Sequence, residues 1–115
     1  MTNTKKIILI DDDENILRIF TSLLQRKGYI VDTAETGKEA LKKIDTGQYD
    51  VALIDVILPD VNGLDLLKSI PSKTKKIVVT GTQRDECLRK AISEGADEFL
   101  LKPVKPEKLL ELIAG

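Results

Sequence analysis

Two groups of aspartates are the first residues in this sequence that could do chemistry. The acidic run 11–13 directly follows the apolar run 7–10, and Asp55 directly follows a second apolar run, 51–54. Two carboxylates held about 5 Å apart repel by about 3 kcal/mol at an effective dielectric constant of about 20. A fold tolerates such a cluster when a cation holds it, and carboxylate oxygens together with water suit Mg²⁺. If the fold brings these aspartates together, we therefore expect a magnesium site.

Two further polar residues also follow short apolar runs. Thr80 comes after the run 77–79, and Lys102 comes after the run 99–101. The lysine supplies a fixed positive charge, and the threonine supplies a hydroxyl that can donate to an anionic oxygen. A nucleophile, a metal ion and donors for the equatorial oxygens are the parts that phosphoryl transfer needs. The residue types therefore favour phosphoryl chemistry.

Each of these residues also has an ordinary structural interpretation. An acidic run before a helix is most often a capping device, which is our interpretation of Asp13 and Glu14. A threonine at the end of a strand is commonly a turn residue, and a lysine before proline is commonly solvated. Taken alone, each residue favours the structural interpretation. Their placement at equivalent ends of four predicted strands favours a shared site.

Apolar patterning predicts the elements that must position these residues. Uninterrupted runs of branched apolar residues, too short for helices, predict strands that are buried on both faces. Strand 29–34 alternates in part, which is typical of an edge strand. Helical spacing between the runs predicts five helices, so that strands and helices alternate and the sheet is parallel, with helices on both faces. The five predicted strands are 7–10, 29–34, 51–54, 77–79 and 99–101.

Capping and stop residues predict where the helices begin and end. The pattern 36–39 is that of a capping box, and the third helix, carried by Leu64, Leu67 and Ile70, should stop at Pro71. The fourth helix should begin near residues 82–85. In an open parallel sheet, ligands bind outside the carboxyl ends of the strands, where the polar residues above are expected. The other predicted boundary residues are Asp13, Gly28, Gly95 and Pro106.

Composition limits the class of protein. The 115 residues suffice for one domain, and 18 basic against 19 acidic residues give a net charge of −1, so nothing points to nucleic acid or an anionic membrane. No early apolar run is long enough for a signal peptide core or a membrane span. A single cysteine, Cys87, excludes an internal disulfide framework and predicts a reducing, cytoplasmic location. The chain contains no histidine, so any phosphohistidine in its chemistry must come from another molecule.

Four ordered motifs resemble the receiver domain of two-component response regulators, and the resemblance covers nearly the whole chain. They are Ile-Leu-Ile-Asp-Asp-Asp at 8–13, Leu-Ile-Asp-Val-Ile-Leu-Pro-Asp-Val-Asn-Gly at 53–63, Val-Val-Thr-Gly at 78–81 and Leu-Leu-Lys-Pro at 100–103. The resemblance implies an α/β, flavodoxin-like, doubly wound fold with a five-stranded parallel sheet of order 2-1-3-4-5 and five helices. The chain 1–115 is then one receiver domain, standing alone or forming the N-terminal part of a longer response regulator.

The resemblance also implies roles for the acidic residues. Asp55 would be the phospho-acceptor, and Asp11 and Asp12 would form the acidic pair. Asp12 and Asp55 would ligate Mg²⁺ directly, and the backbone carbonyl of Ile57 would be the third protein ligand. In the family, the side chains at the positions of Ile57 and Thr82 flank the water that removes the phosphoryl group.

The resemblance also implies roles for residues on the last two strands. Thr80 and Lys102 would contact the phosphoryl oxygens, Thr80 would reorient when the aspartate is modified, and the rotamer of Phe99 would follow that switch. The resemblance predicts a cis peptide bond before Pro103. Val104 replaces the phenylalanine that usually follows Lys-Pro, and Gly81 stands where the family usually has alanine.

The implied partner is a sensor histidine kinase or a histidine phosphotransfer protein, with a C-terminal output domain or a homodimer partner receiving the signal. No direct nucleic-acid binding and no membrane contact are expected. The domain would catalyse its own phosphorylation and slow dephosphorylation without being a turnover enzyme. A receiver that serves only as a docking module is also consistent with these residues.

Two alternatives from other classes are compatible with part of the sequence. A phosphatase with Asp11 as nucleophile and Asp13 as acid would want threonine or valine where Asn15 stands, and no second acidic pair follows late in the chain. A nucleotide or flavin binder would want a glycine-rich loop after the first strand, where three aspartates would instead repel a phosphate.

Overall fold

The computed structural model describes residues 4–81 and 85–114, and the region predicted to begin the fourth helix, including Thr82, lies outside the described residues. Strands and helices alternate along the chain, as the apolar pattern predicts. In chain order the elements are β1 (Lys6–Ile10), α1 (Glu14–Arg26), β2 (Ile30–Ala34), α2 (Gly37–Thr46), β3 (Val51–Asp55), a 3₁₀ helix (Gly63–Ser69), β4 (Lys75–Thr80), α3 (Asp85–Ser93), β5 (Glu98–Leu101) and α4 (Pro106–Ala114).

All five strands form one parallel sheet in the order β2-β1-β3-β4-β5, which confirms the predicted fold. Every residue of β3 is buried, as a central strand in a two-sided parallel sheet requires. In β2 only Ala34 is fully buried, which confirms that this strand lies at an edge. The strand order places β1, β3 and β4 side by side in the middle of the molecule, and their carboxyl ends form one edge.

The sheet lies between two layers of helices, because successive side chains along a strand point to opposite faces. One face packs against α2, the 3₁₀ helix and α3, through Ile8, Ile10, Ala40, Ile44, Ala52, Ile54, Leu64, Leu67, Val78 and Ala91. The other face packs against α1 and α4, through Ile7, Leu9, Leu17, Phe20, Leu24, Val51, Leu53, Ile77, Val79, Leu109 and Ile113.

The third helix differs in type from an ordinary α-helix, because it is a seven-residue 3₁₀ helix. Leu64, Leu67 and Ile70 recur at intervals of three residues, which is the period at which side chains align along a 3₁₀ helix. Asn62 Oδ1 accepts from Leu64 N at 2.9 Å and caps the start. The chain is extended at Ile70, as expected before Pro71, because a proline ring disfavours helical backbone at the residue that precedes it.

Other predicted boundaries agree with the structure. Asp13 caps α1, and Gly28 ends that region with a φ of +90°, a conformation that favours glycine. Thr36 Oγ1 accepts from Glu39 N at 3.1 Å, while Glu39 Oε1 accepts from the backbone of Glu35, one residue before the position a capping box uses. Among the described residues, no helix is long and apolar enough to cross a bilayer.

Candidate functional site

Three carboxylates meet at the carboxyl edge of the sheet. Asp11 follows β1, Asp12 begins the turn into α1, and Asp55 ends β3, which is the strand adjacent to β1. One oxygen from each carboxylate lies within 4.8 Å of the others. Asp11 is 7% exposed and Asp55 is 4% exposed, whereas Asp12 is open to solvent. The donor set consists of oxygen atoms alone, so it could hold a hard cation such as Mg²⁺.

Asp11 and Asp13 make different hydrogen bonds in the turn between β1 and α1. Asp11 N donates to Ala34 O at 3.0 Å, extending the strand ladder, and Asp11 Oδ1 accepts from Asp13 N at 2.9 Å. Asp13 Oδ1 accepts from the backbone of Asn15 at 2.9 Å and of Ile16 at 3.3 Å. The Asp13 carboxylate is therefore committed to capping α1. This commitment argues against the phosphatase alternative, which needs Asp13 as a free acid.

Both carboxylate oxygens of Asp55 accept hydrogen bonds. Oδ1 accepts from Ile57 N at 3.1 Å, and Oδ2 accepts from Lys102 Nζ at 2.7 Å. The following loop returns closely over the strand, because a Cβ on Gly63 would lie only 1.9 Å from Asp55 O. Only glycine permits that approach without movement of the backbone. From the sequence, Gly63 could be interpreted only as a turn residue within a motif, because its contact with the Asp55 carbonyl is a three-dimensional property.

Lys102 brings β5 into the site. Its backbone N donates to Thr80 O at 2.9 Å, its Nζ lies 4.0 Å from Asp11 Oδ2, and its peptide bond to Pro103 is cis, as predicted. Burial lowers the pKa of the ammonium, but the hydrogen bond and charge of Asp55, together with the charges of the other two aspartates, hold the pKa above its usual value. Lys102 is therefore protonated at neutral pH and offsets part of the carboxylate repulsion.

In Asp11, unlike in Lys102, burial and the nearby negative charges shift the pKa in the same direction. Burial raises the pKa of its carboxyl group, and the charges of Asp55 and Asp12 raise it further, against the lowering effects of the Asp13 N–H and of Lys102. The net direction is upward, so the negative form is disfavoured at this position. A bound cation would relieve that cost, which is a physical reason to expect cation affinity here.

Thr80 and Phe99, the residues of the predicted switch, lie on neighbouring strands. Thr80 ends β4 and is 2% exposed, at the same edge as the carboxylates. Val78 pairs with Phe99 across the β4–β5 ladder, and both belong to the core layer under α2 and α3. Since residues two apart on a strand share a face, Thr80 points to the same side of the sheet as Phe99. The rearrangement itself remains a prediction.

Ile57 occupies the loop directly after the strand. Its side chain is 75% exposed, its N–H holds Asp55, and its backbone pairs in an antiparallel bridge with Asn62. Its predicted role as a carbonyl ligand stays a prediction. Asp11, Asp12, Asp55, Thr80 and Lys102 therefore lie at one edge of the sheet, whereas Phe99 lies within β5, opposite Val78.

Sequence reasoning missed one residue near this edge. Asp60 accepts hydrogen bonds from Gly37 N at 2.8 Å and Lys38 N at 3.0 Å, at the start of α2. The first N–H groups of any helix need acceptors, which was a usable signal. Nothing in the sequence, however, indicates that a carboxylate 23 residues away supplies them.

A cavity of about 500 Å³ adjoins the site on the α1 side of the sheet. Apolar side chains form much of its wall, and Lys102, Asp11 and Asp13 also line it. Val104 is one of the lining residues, at the position where receiver domains usually have phenylalanine. The apolar lining residues include Ile16, Phe20, Leu53, Val79 and Val104.

The chain is similar to known proteins over almost its whole length. A family model described as a response regulator receiver domain matches residues 7–114. The alkaline phosphatase synthesis transcriptional regulatory protein PhoP of Bacillus subtilis is 36% identical over 108 residues, covering 91% of this chain and 45% of that protein. The chain spans about half the length of the curated relatives that it matches.

Two solved structures are similar in both fold and sequence. The CheY-like response regulator receiver domain protein from Methanospirillum hungatei is 39% identical, with a TM-score of 0.92, covering 97% of this chain and 92% of that one. A response regulator protein from Burkholderia pseudomallei, with a phosphorylated aspartic acid, a calcium ion and citrate, is 29% identical, with a TM-score of 0.88. This second similarity covers 95% of this chain and 66% of that one.

Proposed function

The chain belongs to the response regulator receiver domain family, and we propose that it accepts a phosphoryl group on Asp55 in a Mg²⁺-dependent reaction and then switches conformation. Receiver domains are phosphorylation switches rather than turnover enzymes. One observation carries the proposal for Asp55: its two oxygens are held by Lys102 Nζ at 2.7 Å and Ile57 N at 3.1 Å, beside two further carboxylates. The phosphorylated aspartic acid in the Burkholderia pseudomallei relative supports the same chemistry here.

The proposed transfer starts from a phosphohistidine on a partner protein. An Asp55 carboxylate oxygen attacks phosphorus, an O–P bond forms, and the N–P bond of phosphohistidine breaks. The electron pair of that bond returns to the imidazole nitrogen, which takes a proton from water. Lys102 is near enough to Asp55 to stabilise the oxygens of the arriving group, and the Thr80 hydroxyl can donate to another.

The three carboxylates fit a magnesium ion by the chemistry of their donors. Asp12, Asp55 and the carbonyl of Ile57 are the proposed protein ligands, with Asp11 completing the acidic group. When bound, Mg²⁺ supplies positive charge that screens the negative oxygens of nucleophile and phosphoryl group. The raised pKa of Asp11 supports the proposal, because burial and the neighbouring negative charges both disfavour its charged form, and a cation would favour it.

The proposed donors are a sensor histidine kinase or a histidine phosphotransfer protein, since the chain has no histidine of its own. A C-terminal output domain or a second copy of the chain is the proposed receiver of the signal. The match to about half of each longer curated relative supports the first of these. We propose that the domain itself binds neither nucleic acid nor membrane, and that it works in the cytoplasm.

Phosphorylation by acetyl phosphate with Mg²⁺, followed by intact-protein mass spectrometry, tests the proposal. The parent protein should gain one phosphoryl group, and Asp55→Asn should gain none, because an amide is nearly isosteric with a carboxylate but is not nucleophilic. Asp65→Asn is the matched control, since Asp65 lies on the exposed surface of the 3₁₀ helix and should label normally. Labelling of Asp55→Asn at the rate of the parent would contradict the assignment.

A further inference from the structure

The loop 56–62 joins β3, which ends in Asp55, to the 3₁₀ helix and provides one of the two hydrogen bonds to the Asp55 carboxylate. Its second residue, Ile57, donates its N–H to Asp55 Oδ1 at 3.1 Å. The Ile57 side chain is 75% exposed, so apolar burial does little to hold this residue in place. The position of the Ile57 backbone must therefore depend on the other attachments of the loop.

The two ends of the loop are fixed by backbone hydrogen bonds. Val56 N donates to Val79 O at 3.0 Å, and Gly63 N donates to Val56 O at 2.6 Å. These bonds tie the base of the loop to β4 and close it on itself. Between these ends, Ile57 forms an antiparallel bridge with Asn62, Leu58 is buried in the core, and Val61 packs against the same core. Asp60 adds a polar attachment at the tip of the loop.

Asp60 fastens that tip to the start of α2. Its Oδ1 accepts from Gly37 N at 2.8 Å, and its Oδ2 accepts from Lys38 N at 3.0 Å. The bonds from these two N–H groups hold the pKa of the Asp60 carboxyl below its ordinary value, so the carboxylate is charged at neutral pH. A negative charge at a helix N-terminus is favourable, which strengthens the attachment.

Packing shows how closely the loop tip approaches the helix. A Cβ on Gly37 would lie 2.3 Å from Val61 Cγ2, so the loop and the helix touch at this point. α2 does not depend on Asp60 alone for its cap, because Thr36 Oγ1 accepts from Glu39 N at 3.1 Å. Asp60 thus does something that a local cap does not do, since it joins the helix to the loop beside the phospho-acceptor.

We propose that Asp60 is a positioning residue for the site: by joining loop 56–62 to the N-terminus of α2, it holds the Ile57 backbone against Asp55. The inference rests on the proposed function, because it concerns the same nucleophile and the same metal site. Ile57 has two backbone groups at the site: the N–H that donates to Asp55 and the carbonyl that we propose as a metal ligand. The positions of both groups depend on the conformation of the loop. Loss of the attachment should weaken the site before it unfolds the domain.

The test compares Asp60→Ala with Thr36→Ala, two variants that each remove a cap from the same helix end. Only Asp60→Ala also releases the loop. Magnesium affinity is measured by titration calorimetry on the phosphate-free protein, and hydrogen exchange of the Ile57 amide is followed by NMR without metal. Asp60→Ala should weaken Mg²⁺ binding by about tenfold and speed Ile57 exchange, as loss of a supporting contact around a metal site typically does.

The controls separate positioning from stability. Thr36→Ala should leave the dissociation constant for Mg²⁺ within about twofold of the parent, although it removes a comparable cap. Asp60→Asn keeps one acceptor oxygen and should recover part of the lost affinity. Equal effects of Asp60→Ala and Thr36→Ala on affinity and on Ile57 exchange would overturn the inference, because helix capping alone would then explain them.

The same measurements distinguish failure of this inference from failure of the proposed function. Suppose that the parent binds Mg²⁺ and is phosphorylated on Asp55, while Asp60→Ala has the same Mg²⁺ affinity and the same Ile57 exchange rate as the parent. The inference alone is then wrong. If the parent neither binds Mg²⁺ nor accepts a phosphoryl group, the proposed function is wrong, and the inference fails with it.

Discussion

At the scale of single residues, neighbouring aspartates differ because their backbone surroundings differ. The carboxylate of Asp13 accepts two N–H groups at the start of α1, whereas that of Asp12 lies within the three-carboxylate cluster. Asp11 lies between these roles, since it both orients the turn and belongs to the cluster. Identical side chains in consecutive positions are therefore expected to respond very differently to substitution.

Asp12→Asn should weaken Mg²⁺ binding by about tenfold or more, because the number of charged ligands largely sets the affinity of such a site. Asp13→Asn should change the affinity little, since asparagine is as good a helix N-cap as aspartate. Titration calorimetry on both variants checks the prediction. Greater sensitivity at Asp13 would mean that the acidic pair is shifted by one residue, and the phosphatase hypothesis would regain support.

Ile57 is predicted to control how long the phosphoryl group remains on Asp55. Hydrolysis requires a water aligned with the bond that breaks, and an exposed isoleucine side chain can neither donate to that water nor accept from it. Ile57→Asn should speed the loss of phosphate by about tenfold, which corresponds to about 1.4 kcal/mol of barrier. Decay of the phosphorylated protein, measured with Mg²⁺ present, provides the test.

The matched control for that measurement is Ile19→Asn, which changes an exposed isoleucine on α1 that is 59% exposed. Its phosphoryl group should decay at the rate of the parent. Decay in Ile57→Asn that is equal to or slower than in the parent would show that the Ile57 side chain does not control access of water.

At the scale of secondary-structure elements, the connection after β3 is shaped by one close approach. A Cβ on Gly63 would lie 1.9 Å from Asp55 O and 2.8 Å from Asp55 C, so a larger residue must displace backbone rather than a flexible side chain. The displaced groups belong to the proposed nucleophile and to the first residue of loop 56–62. The start of the 3₁₀ helix and the geometry of the site are therefore coupled.

Gly63→Ala should lower the free energy of unfolding by about 1–3 kcal/mol, the usual cost of overpacking, and should also slow phosphorylation of the folded fraction. Gly81→Ala is the control at another strand end, because a Cβ there would meet nothing within 4 Å. Chemical denaturation and acetyl phosphate labelling of both variants test the prediction. A Gly63→Ala protein as stable as the parent would show that the loop can move away at little cost.

The elements differ in how much of them the sequence could predict. The buried strands were predictable because a branched apolar run such as 51–54, too short for a helix, favours a strand that is covered on both faces. The helix starts at Asp13 and Thr36 were predictable because capping is local. The 3₁₀ helix was predictable only as a helix, although its apolar residues recur every three positions. The contact from Asp60 to α2 was not predictable, because it joins distant segments through side-chain geometry.

At the scale of the whole molecule, the strand order brings together residues that are far apart in the sequence. Asp11, Asp55 and Lys102 follow or end three different strands, and the lysine lies 2.7 Å from the Asp55 carboxylate and 4.0 Å from that of Asp11. The apolar runs predicted the strands, but the order of the strands came from the resemblance to receiver domains. Burial, pKa directions and the cavity beside the site required coordinates, because they depend on packing between elements.

The cavity of about 500 Å³ beside the site is the feature of the whole molecule that a single substitution can test. It lies between α1, the sheet and the segment that follows β5, and Val104 lines it. Val104→Phe should place a ring in this space and raise the free energy of unfolding by about 0.5–2 kcal/mol, as cavity filling commonly does. Phosphorylation of Asp55 should persist, because Asp55 is not among the residues that line this cavity.

Val104→Ala is the matched variant for that experiment, because it removes methyl groups from the same partly buried side chain. It should lower the free energy of unfolding by about 1 kcal/mol, through lost burial and a larger cavity. Urea denaturation of the two variants and the parent, at one temperature and without metal, gives the comparison. Since both substitutions change apolar volume at one position, opposite signs are expected if the cavity is free to accept a ring. A Val104→Phe protein less stable than the parent would show that the walls of the cavity cannot adjust to the ring without strain.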